Sequence, residues 1–364
     1  MLDRIATHAD LVAAINELAA QWRLIGPVAR PEPRCQPPVR YFYEPVERAE
    51  QIDLSFSYGV YSPKRFLMPP GETLFTFRKT ERGFTAEPQM EASPTALIGV
   101  HPCDIHAIQT LDGVFARDFR DEHYFARRER MFIVAVDCPQ PCTEGVFCRD
   151  MESNDAASGF DVMLYPLDRH SARGTSPADH DRYGVVFGSD AGRAWLMGDG
   201  LPRTRAPGAL DARDFETYQR RKQAAFPRAL STPLDELPAL LTRSYDSLLW
   251  QATAQRCYSC GSCNLVCPTC YCFDINEEND LPLSTGARVR TWDGCQLREF
   301  AVVAGDHNFR ARPQERLRHR IFRKGMWIQR RTGHKGCVGC ARCDRACTAH
   351  INSVEIYNQL AEEG

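Results

Sequence analysis

Near the start of the chain, apolar residues recur at helical spacing, at Ile5, Leu11, Ala14, Ile15, Leu18 and Trp22, with Asp3 placed to cap them. This pattern predicts a helix over residues 3–25. Pro27 to Pro38 is rich in proline and is expected to break regular structure. From Val39 to about Leu167 the apolar runs are short, with connecting helices between them. Leu74–Phe77 reads as a short strand, being aromatic and β-branched. Ala96–Val100 and Met131–Val136 are unbroken apolar runs of strand length, the signature of strands covered on both faces, and Tyr183–Phe187 reads as another strand. Strands alternating with helices make this part a mixed α/β domain.

Gly198 to Gly208, rich in glycine, proline and arginine, reads as a linker. Beyond it the pattern turns helical. Asp211–Ala225 is a charged, solvated helix. Leu237–Ala254 is a second, with Pro238 tolerated in its first turn and Leu241, Leu248 and Leu249 towards one side, and it leads straight into Cys257.

A length of 364 residues allows roughly two domains of about 150 residues each. The net charge of −2 gives the chain no global attraction to nucleic acid or to an anionic membrane. Met1-Leu2-Asp3-Arg4 lacks the apolar core of a signal peptide, no twin-arginine signal precedes the chain, and no apolar run is long enough to span a bilayer. Sixteen cysteines without an export signal point to a reducing cytoplasm, where thiolates serve metals.

Eight of those cysteines form two matching runs. Cys257, Cys260, Cys263 and Cys267, followed by Pro268, read C-x2-C-x2-C-x3-C-P. Cys337, Cys340, Cys343 and Cys347 repeat the spacing, with Thr348 in the proline position. Three closely spaced thiolates on a tight turn can hold three corners of a cubane iron–sulfur cluster, and in two-cluster ferredoxins the fourth cysteine of each run ligates the other cluster. Cys257, Cys260, Cys263 and Cys347 are therefore assigned to one 4Fe–4S cluster, and Cys337, Cys340, Cys343 and Cys267 to the other. Zinc prefers separated pairs around one tetrahedral ion, and a disulfide framework needs an oxidising compartment. The first cysteines of the runs lie 80 residues apart (337 − 257), so much of 271–336 is an insertion between two halves. The expected architecture is an α+β protein with a mixed α/β domain over 1–205. A helical domain over 206–364 carries the ferredoxin-like two-cluster module.

Further cysteines raise the question of a third cluster. Cys270 and Cys272 follow the first run, and Cys295 lies in Trp292-Asp293-Gly294-Cys295. Upstream, Cys103, Cys138, Cys142 and Cys148 are enough in number for a cluster, with Asp104 as an unusual candidate ligand, while Cys35 stands alone. The competing account is that these are small buried residues packing in a core. The insertion is basic, with 13 Lys/Arg against 4 Asp/Glu from Arg288 to Lys335. A solvated arginine-rich surface is the plainest account; nearby arginines stabilising reduced clusters and a docking face for an acidic partner are the others. Without a zinc-finger or RNA-binding motif, a nucleic-acid-binding module stabilised by structural metal is the distant alternative. No G-x-G-x-x-G follows a strand, no Walker A loop is present, and His101, His106 and His123 form no catalytic set, so no catalytic residue is assigned.

Gly99-Val100-His101-Pro102-Cys103-Asp104-Ile105-His106-Ala107-Ile108, followed by Leu111-Asp112 and Phe115, resembles the "G-V-R-P-C-D" region of the β subunits of cytoplasmic sulfhydrogenases. These are soluble nickel–iron hydrogenases that also reduce sulfur, and the A subunit of anaerobic sulfite reductase belongs to the same family. The likeness continues through Cys257, Cys260-Gly261 and Cys263 to Cys267-Pro268-Thr269-Cys270-Tyr271-Cys272-Phe273, then Trp292-Asp293 with Cys295 and Cys337-Val338-Gly339-Cys340. It covers roughly Tyr61 to Ile351 and departs at His101, where arginine is usual, and at Thr348, where proline is usual. The resemblance implies a non-catalytic electron-transfer subunit of an oxidoreductase complex. Its partners would be a flavin- and NAD(P)-binding subunit and a nickel–iron catalytic subunit or, in the sulfite reductase alternative, a siroheme subunit.

Overall fold

The computed structural model describes residues 1–34, 38–167, 182–198 and 204–363. Cys35 and part of the expected linker, residues 199–203, lie outside them. Strands β1 (Arg4–Thr7), β2 (Arg23–Pro31), β3 (Val39–Val46), β4 (Gly71–Thr80), β5 (Gly83–Pro88), β6 (Thr95–Val100), β7 (Met131–Val136), β8 (Val162–Pro166), β9 (Arg182–Phe187), β10 (Phe273–Asn279) and β11 (Thr285–Trp292) build two sheets. The larger has seven strands in the order β1-β9-β8-β7-β6-β2-β3. Its centre, β2-β6-β7-β8, is parallel, and the flanking pairs are antiparallel.

β6 and β7 are buried along their whole length, as their unbroken apolar runs predict. Successive residues face opposite sides of the sheet. Ala96, Ile98, Phe132, Val134, Val162 and Leu164 pack under the helix His8–Leu18, through its Leu11, Ala14, Ile15 and Leu18. Leu97, Ile133, Ala135, Met163 and Tyr165 pack on the other face under the helices Pro102–Phe115 and Glu122–Arg128. A register shift between Ile98 and Val100, with Gly99 at φ +79°, turns Val100 to the same side as Leu97.

The helix expected over 3–25 is shorter, because the segment before it is a strand and so is the segment after. Thr7 Oγ1 accepts from Asp10 N–H (3.1 Å) and Asp10 Oδ2 accepts from Thr7 N–H (2.9 Å), a capping box that starts the helix at His8. Ile5 and Ala6 are apolar because β1 lies on β9 with its strand faces buried, not because they continue a helical stripe. The proline-rich stretch also forms a strand, β2, where a break was expected. β6 pairs only with Arg23–Ile25, so Pro27 and Pro31 stand beyond the parallel ladder, where their missing donors cost nothing. The expected helix over Leu237–Ala254 is two, Leu237–Arg243 and Leu249–Ala254, with a turn at Ser244.

The second half of the chain is not purely helical. Its hairpin β10–β11 joins β4–β5 in a four-stranded sheet ordered β10-β11-β4-β5. β11 pairs with β4, so the sheet crosses the expected division at 205/206. Arg290 on β11 pins the junction: Nη2 donates to Glu72 Oε1 (2.6 Å), Nη1 pairs with Asp121, and Arg127 pairs with the other oxygen of Glu72. No helix among the described residues is long and apolar enough to cross a membrane.

Removing one partner of a buried ion pair typically costs about 3–5 kcal/mol, since the remaining charge stays desolvated. Glu72→Ala takes the carboxylate from Arg127 and leaves Arg290 only Asp121, and it should lower the anaerobic urea midpoint clearly. Glu44→Ala, which breaks the exposed pair with Arg30, should leave the midpoint where it is. Equal effects would show that the Glu72 cluster does not hold the two halves together.

Candidate metal centres

The two cysteine runs wind alike although their residues differ. At the second and fourth positions after the first cysteine the backbone enters the left-handed region: Ser259 (φ 54°) and Gly261 (76°) in one run, Gly339 (61°) and Ala341 (53°) in the other. A one-turn helix follows each, Ser262–Leu265 and Arg342–Arg345, and carries the chain to Cys267 and Cys347. Outside glycine this conformation costs roughly 1–2 kcal/mol per residue. Ser259 and Ala341 therefore record a constraint imposed by their surroundings. Arg316 supplies part of it, donating from Nη2 to Ser259 Oγ (2.8 Å) and from Nε to Gln296 O (3.1 Å).

Two cavities collect the run cysteines, and the fourth cysteine of each run lies with the other run. Cys257, Cys260, Cys263 and Cys347 line the first, with Cys343 at its edge and Leu317, Ile321 and Ile356 as apolar wall. Cys267, Cys337, Cys340 and Cys343 line the second, with Thr269 and Tyr357. Cys343 borders both. Among the described residues no three Cys, His, Asp or Glu side chains gather as a single ion requires.

The charge around these cavities fits an anionic occupant. Lys64, Arg320 and Lys324 are 3%, 5% and 6% exposed, and among the described residues none is in a salt bridge, although Arg320 acts electrostatically on Asp344 in the first cavity. Lys324 Nζ donates to Thr269 Oγ1 (2.7 Å), and Arg320 Nη2 donates to Cys263 O (3.0 Å). Lys64 Nζ donates to the carbonyls of Cys267 (3.1 Å) and Cys270 (2.9 Å) and lies 4.0 Å over the Trp292 ring. Burial pulls the Lys324 ammonium down, but the charge of Cys267 and Cys270 outweighs it and raises the group. Burial pushes the thiols of Cys337 and Cys340 up to about 11 and about 12. Ionising them needs positive charge inside the ring, which iron brings, while the cations outside balance the net negative charge of a cysteine-ligated cluster.

The plain account of the insertion holds for Arg298, Arg312, Arg330 and Arg331, which are exposed, but not for four other cations. Arg290 is buried against Glu72 and Asp121, and Arg316, Arg320 and Lys324 are buried because the carbonyl-rich cysteine loops need donors. Lys324 sits in a π-turn, Arg323–Trp327, between the α-helical stretches Pro313–Phe322 and Ile328–Thr332. Such turns are frequent at functional sites. Lys64 was invisible to motif reading, being 203 residues from Cys267 with no local signal.

The remaining candidates fall into two groups. Cys270 and Cys295 each accept from Asn264 Nδ2, at 3.6 and 3.5 Å, and Cys272 lies beside Cys295. Cys103, Cys138, Cys142 and Cys148 lie on the side of the large sheet. Asp104 accepts from both terminal nitrogens of Arg342 at 2.7 Å, so its oxygens are already engaged. His101 is stacked on Phe56, centroids 4.2 Å apart, which is a packing role.

Residues 256–351 match the family model of a 4Fe–4S dicluster domain. The whole chain is 30% identical over 349 residues, 95% of each protein, to sulfhydrogenase 2 subunit beta of Pyrococcus furiosus.

The loop geometry is testable at two glycines. A Cβ on Gly339 would stand 2.5 Å from the backbone of Phe147 and Cys148, whereas one on Gly145 meets nothing within 4 Å, and both have positive φ. Gly339→Ala should release iron at a lower temperature than wild type, and Gly145→Ala should show only the smaller cost of its backbone angle, about 1–2 kcal/mol. If both lose iron alike, the close approach of the two loops is not needed for the site.

Proposed function

The chain belongs to the β-subunit family of sulfhydrogenases, and we propose that it is the iron–sulfur electron-transfer subunit of a cytoplasmic hydrogenase complex. It would relay electrons between a flavin- and NAD(P)-binding subunit and a nickel–iron catalytic subunit. In this reading Cys257, Cys260, Cys263 and Cys347 hold one 4Fe–4S cluster, and Cys337, Cys340, Cys343 and Cys267 the other. The observation that carries it is the exchange of Cys267 and Cys347 between the two cavities, which ties both sites into one rigid unit. Bound there, each cluster supplies a one-electron couple whose potential follows charge, hydrogen bonds and exposure.

The protein's own contribution is electrostatic and positional. Arg320 reaches both cavities and Lys324 the second, so added negative charge meets fixed cations already desolvated. Cys260 is exposed, beside exposed Tyr258 and Leu265, so the first cavity offers an edge to a partner. The second is walled by buried Cys267, Phe147 and Tyr357.

EPR of the dithionite-reduced, anaerobically purified chain should give the broadened spectrum of two spin-coupled clusters. Cys260→Ser or Cys340→Ser should each weaken that coupling by perturbing one cluster. Zinc in place of iron, with no EPR signal, would sink the relay. NAD(P)H should leave the isolated chain oxidised until the flavin subunit is added; direct reduction would contradict the division of labour. Lys324→Met should lower the potential of the second cluster by on the order of 60 mV, a tenfold shift for one electron. An unchanged potential would mean that Lys324 is balanced by something other than the cluster.

A further inference from the structure

β6 and β7 run parallel with Val100 opposite Ala135, and the third residue beyond each is a cysteine, Cys103 and Cys138. Neighbouring strands lie about 4.8 Å apart. The two thiols therefore start from the same level at the carboxyl edge of the sheet. Cys103 opens the helix Pro102–Phe115, and Cys138 opens the loop that leaves β7. That loop turns back through Cys142 and Cys148 and is fastened to the second cysteine run. Phe147 N–H donates to Gly339 O (2.9 Å), and Ser153 donates from its amide to Cys148 O (2.8 Å) and from Oγ to Val338 O (2.7 Å). Cys148 packs with Val146, Phe226 and Ala341, and Cys138 and Cys142 lie against that group. A cavity of about 150 Å³ opens beside Cys138 and Cys142. None of the four is in a disulfide.

Two ion pairs stand beside these thiols, one next to Cys103 and one next to Cys138. Arg342 takes both oxygens of Asp104 and also donates to Gly59 O (2.9 Å). Lys222 donates to both oxygens of Asp137, at 2.6 and 2.7 Å, and Tyr218 OH donates to the same carboxylate (2.7 Å). The neighbouring carboxylates are thus spent, and the thiols are the donor set that remains. Packing alone accounts for buried Cys148, but not for its company, the half-buried Cys103, Cys138 and Cys142, drawn from two separate segments with Cys103 next to Cys340.

We propose that Cys103, Cys138, Cys142 and Cys148 hold a third 4Fe–4S cluster, neighbouring the one bounded by Cys340. Its existence rests on these residues; its role as a third relay station rests on the electron-transfer reading. It extends the path from the exposed edge at Cys260 through the second cavity to the rim of the large sheet. Arg342 and Lys222 are neutralised by their carboxylates, whereas Lys64, Arg320 and Lys324 are not. The third cluster is therefore the hardest of the three to reduce. Cys270, Cys272 and Cys295 are the rival set, one thiol short of a cubane's four.

Anaerobically purified wild type should hold about twelve iron and twelve sulfide per chain. Cys138→Ser/Cys142→Ser should hold about eight of each and keep the coupled two-cluster spectrum. Cys272→Ser/Cys295→Ser should keep all of its iron, which decides between the two sets even if the first variant does not fold. In stepwise reduction of wild type, the signal that the first variant lacks should appear last. About eight iron in wild type overturns the third cluster and leaves the two-cluster reading standing, while zinc or no metal overturns that reading itself. Loss of about four iron on changing Cys272 and Cys295, with none on changing Cys138 and Cys142, assigns the extra cluster to the rival set and overturns this one.

Discussion

Buried positive charge that, among the described residues, forms no salt bridge is the constraint on which the rest of this structure depends. Lys64, Arg320 and Lys324 are withdrawn from water and donate to carbonyls, a hydroxyl and the Cys263 thiol. Desolvating one such charge costs several kcal/mol, and a backbone carbonyl returns part of that at most. Three within one neighbourhood are tolerable only if the space they enclose is negative. The cysteine cavities answer that requirement. These cations would be counter-ions to cysteine-ligated clusters, which would link metal binding to folding.

That linkage explains why the cationic residues come from distant parts of the chain. Lys64 stands in a short 3-10 turn, Pro63–Phe66, just before β4, while Arg320 and Lys324 stand on the helix that ends the insertion. For both to reach Cys267 and its neighbours, the two halves must dock closely. The Arg290–Glu72–Asp121 cluster and the shared four-stranded sheet provide that docking. The insertion between the runs is thus the clamp that closes the cysteine loops against the sheet, rather than a loose excursion.

What could be read beforehand follows from how local each signal is. The cysteine spacing is local and chemically restrictive, and β6 and β7 match their apolar runs because burial on both faces leaves no polar positions. The first helix was misjudged at both ends because a short edge strand and a helix share apolar residues at overlapping spacings, and only the Thr7–Asp10 cap separates them. Proline at Pro27 and Pro31 suggests a break unless the extent of the neighbouring ladder is known, which is tertiary information. Arginine count likewise carries no depth. Arg316 and Arg312 lie in the same basic run, yet one threads beneath a cysteine loop and the other faces solvent.

The conformations of Ser259 and Ala341 join these strands of evidence. Left-handed backbone at a serine and an alanine persists only where the surroundings over-determine it. Here it recurs at non-equivalent positions of the two runs, the second and the fourth, with glycine taking the other place each time. The two runs therefore share a loop path, while the residue that bears its cost differs. A path preserved at such expense turns successive amides and thiols inward around a fixed volume. An ordinary turn would not require it. The strain, the cations without salt bridges and the placing of Cys267 and Cys347 in each other's cavities all fit one demand, that the cysteines around each cavity be held rigid and close together.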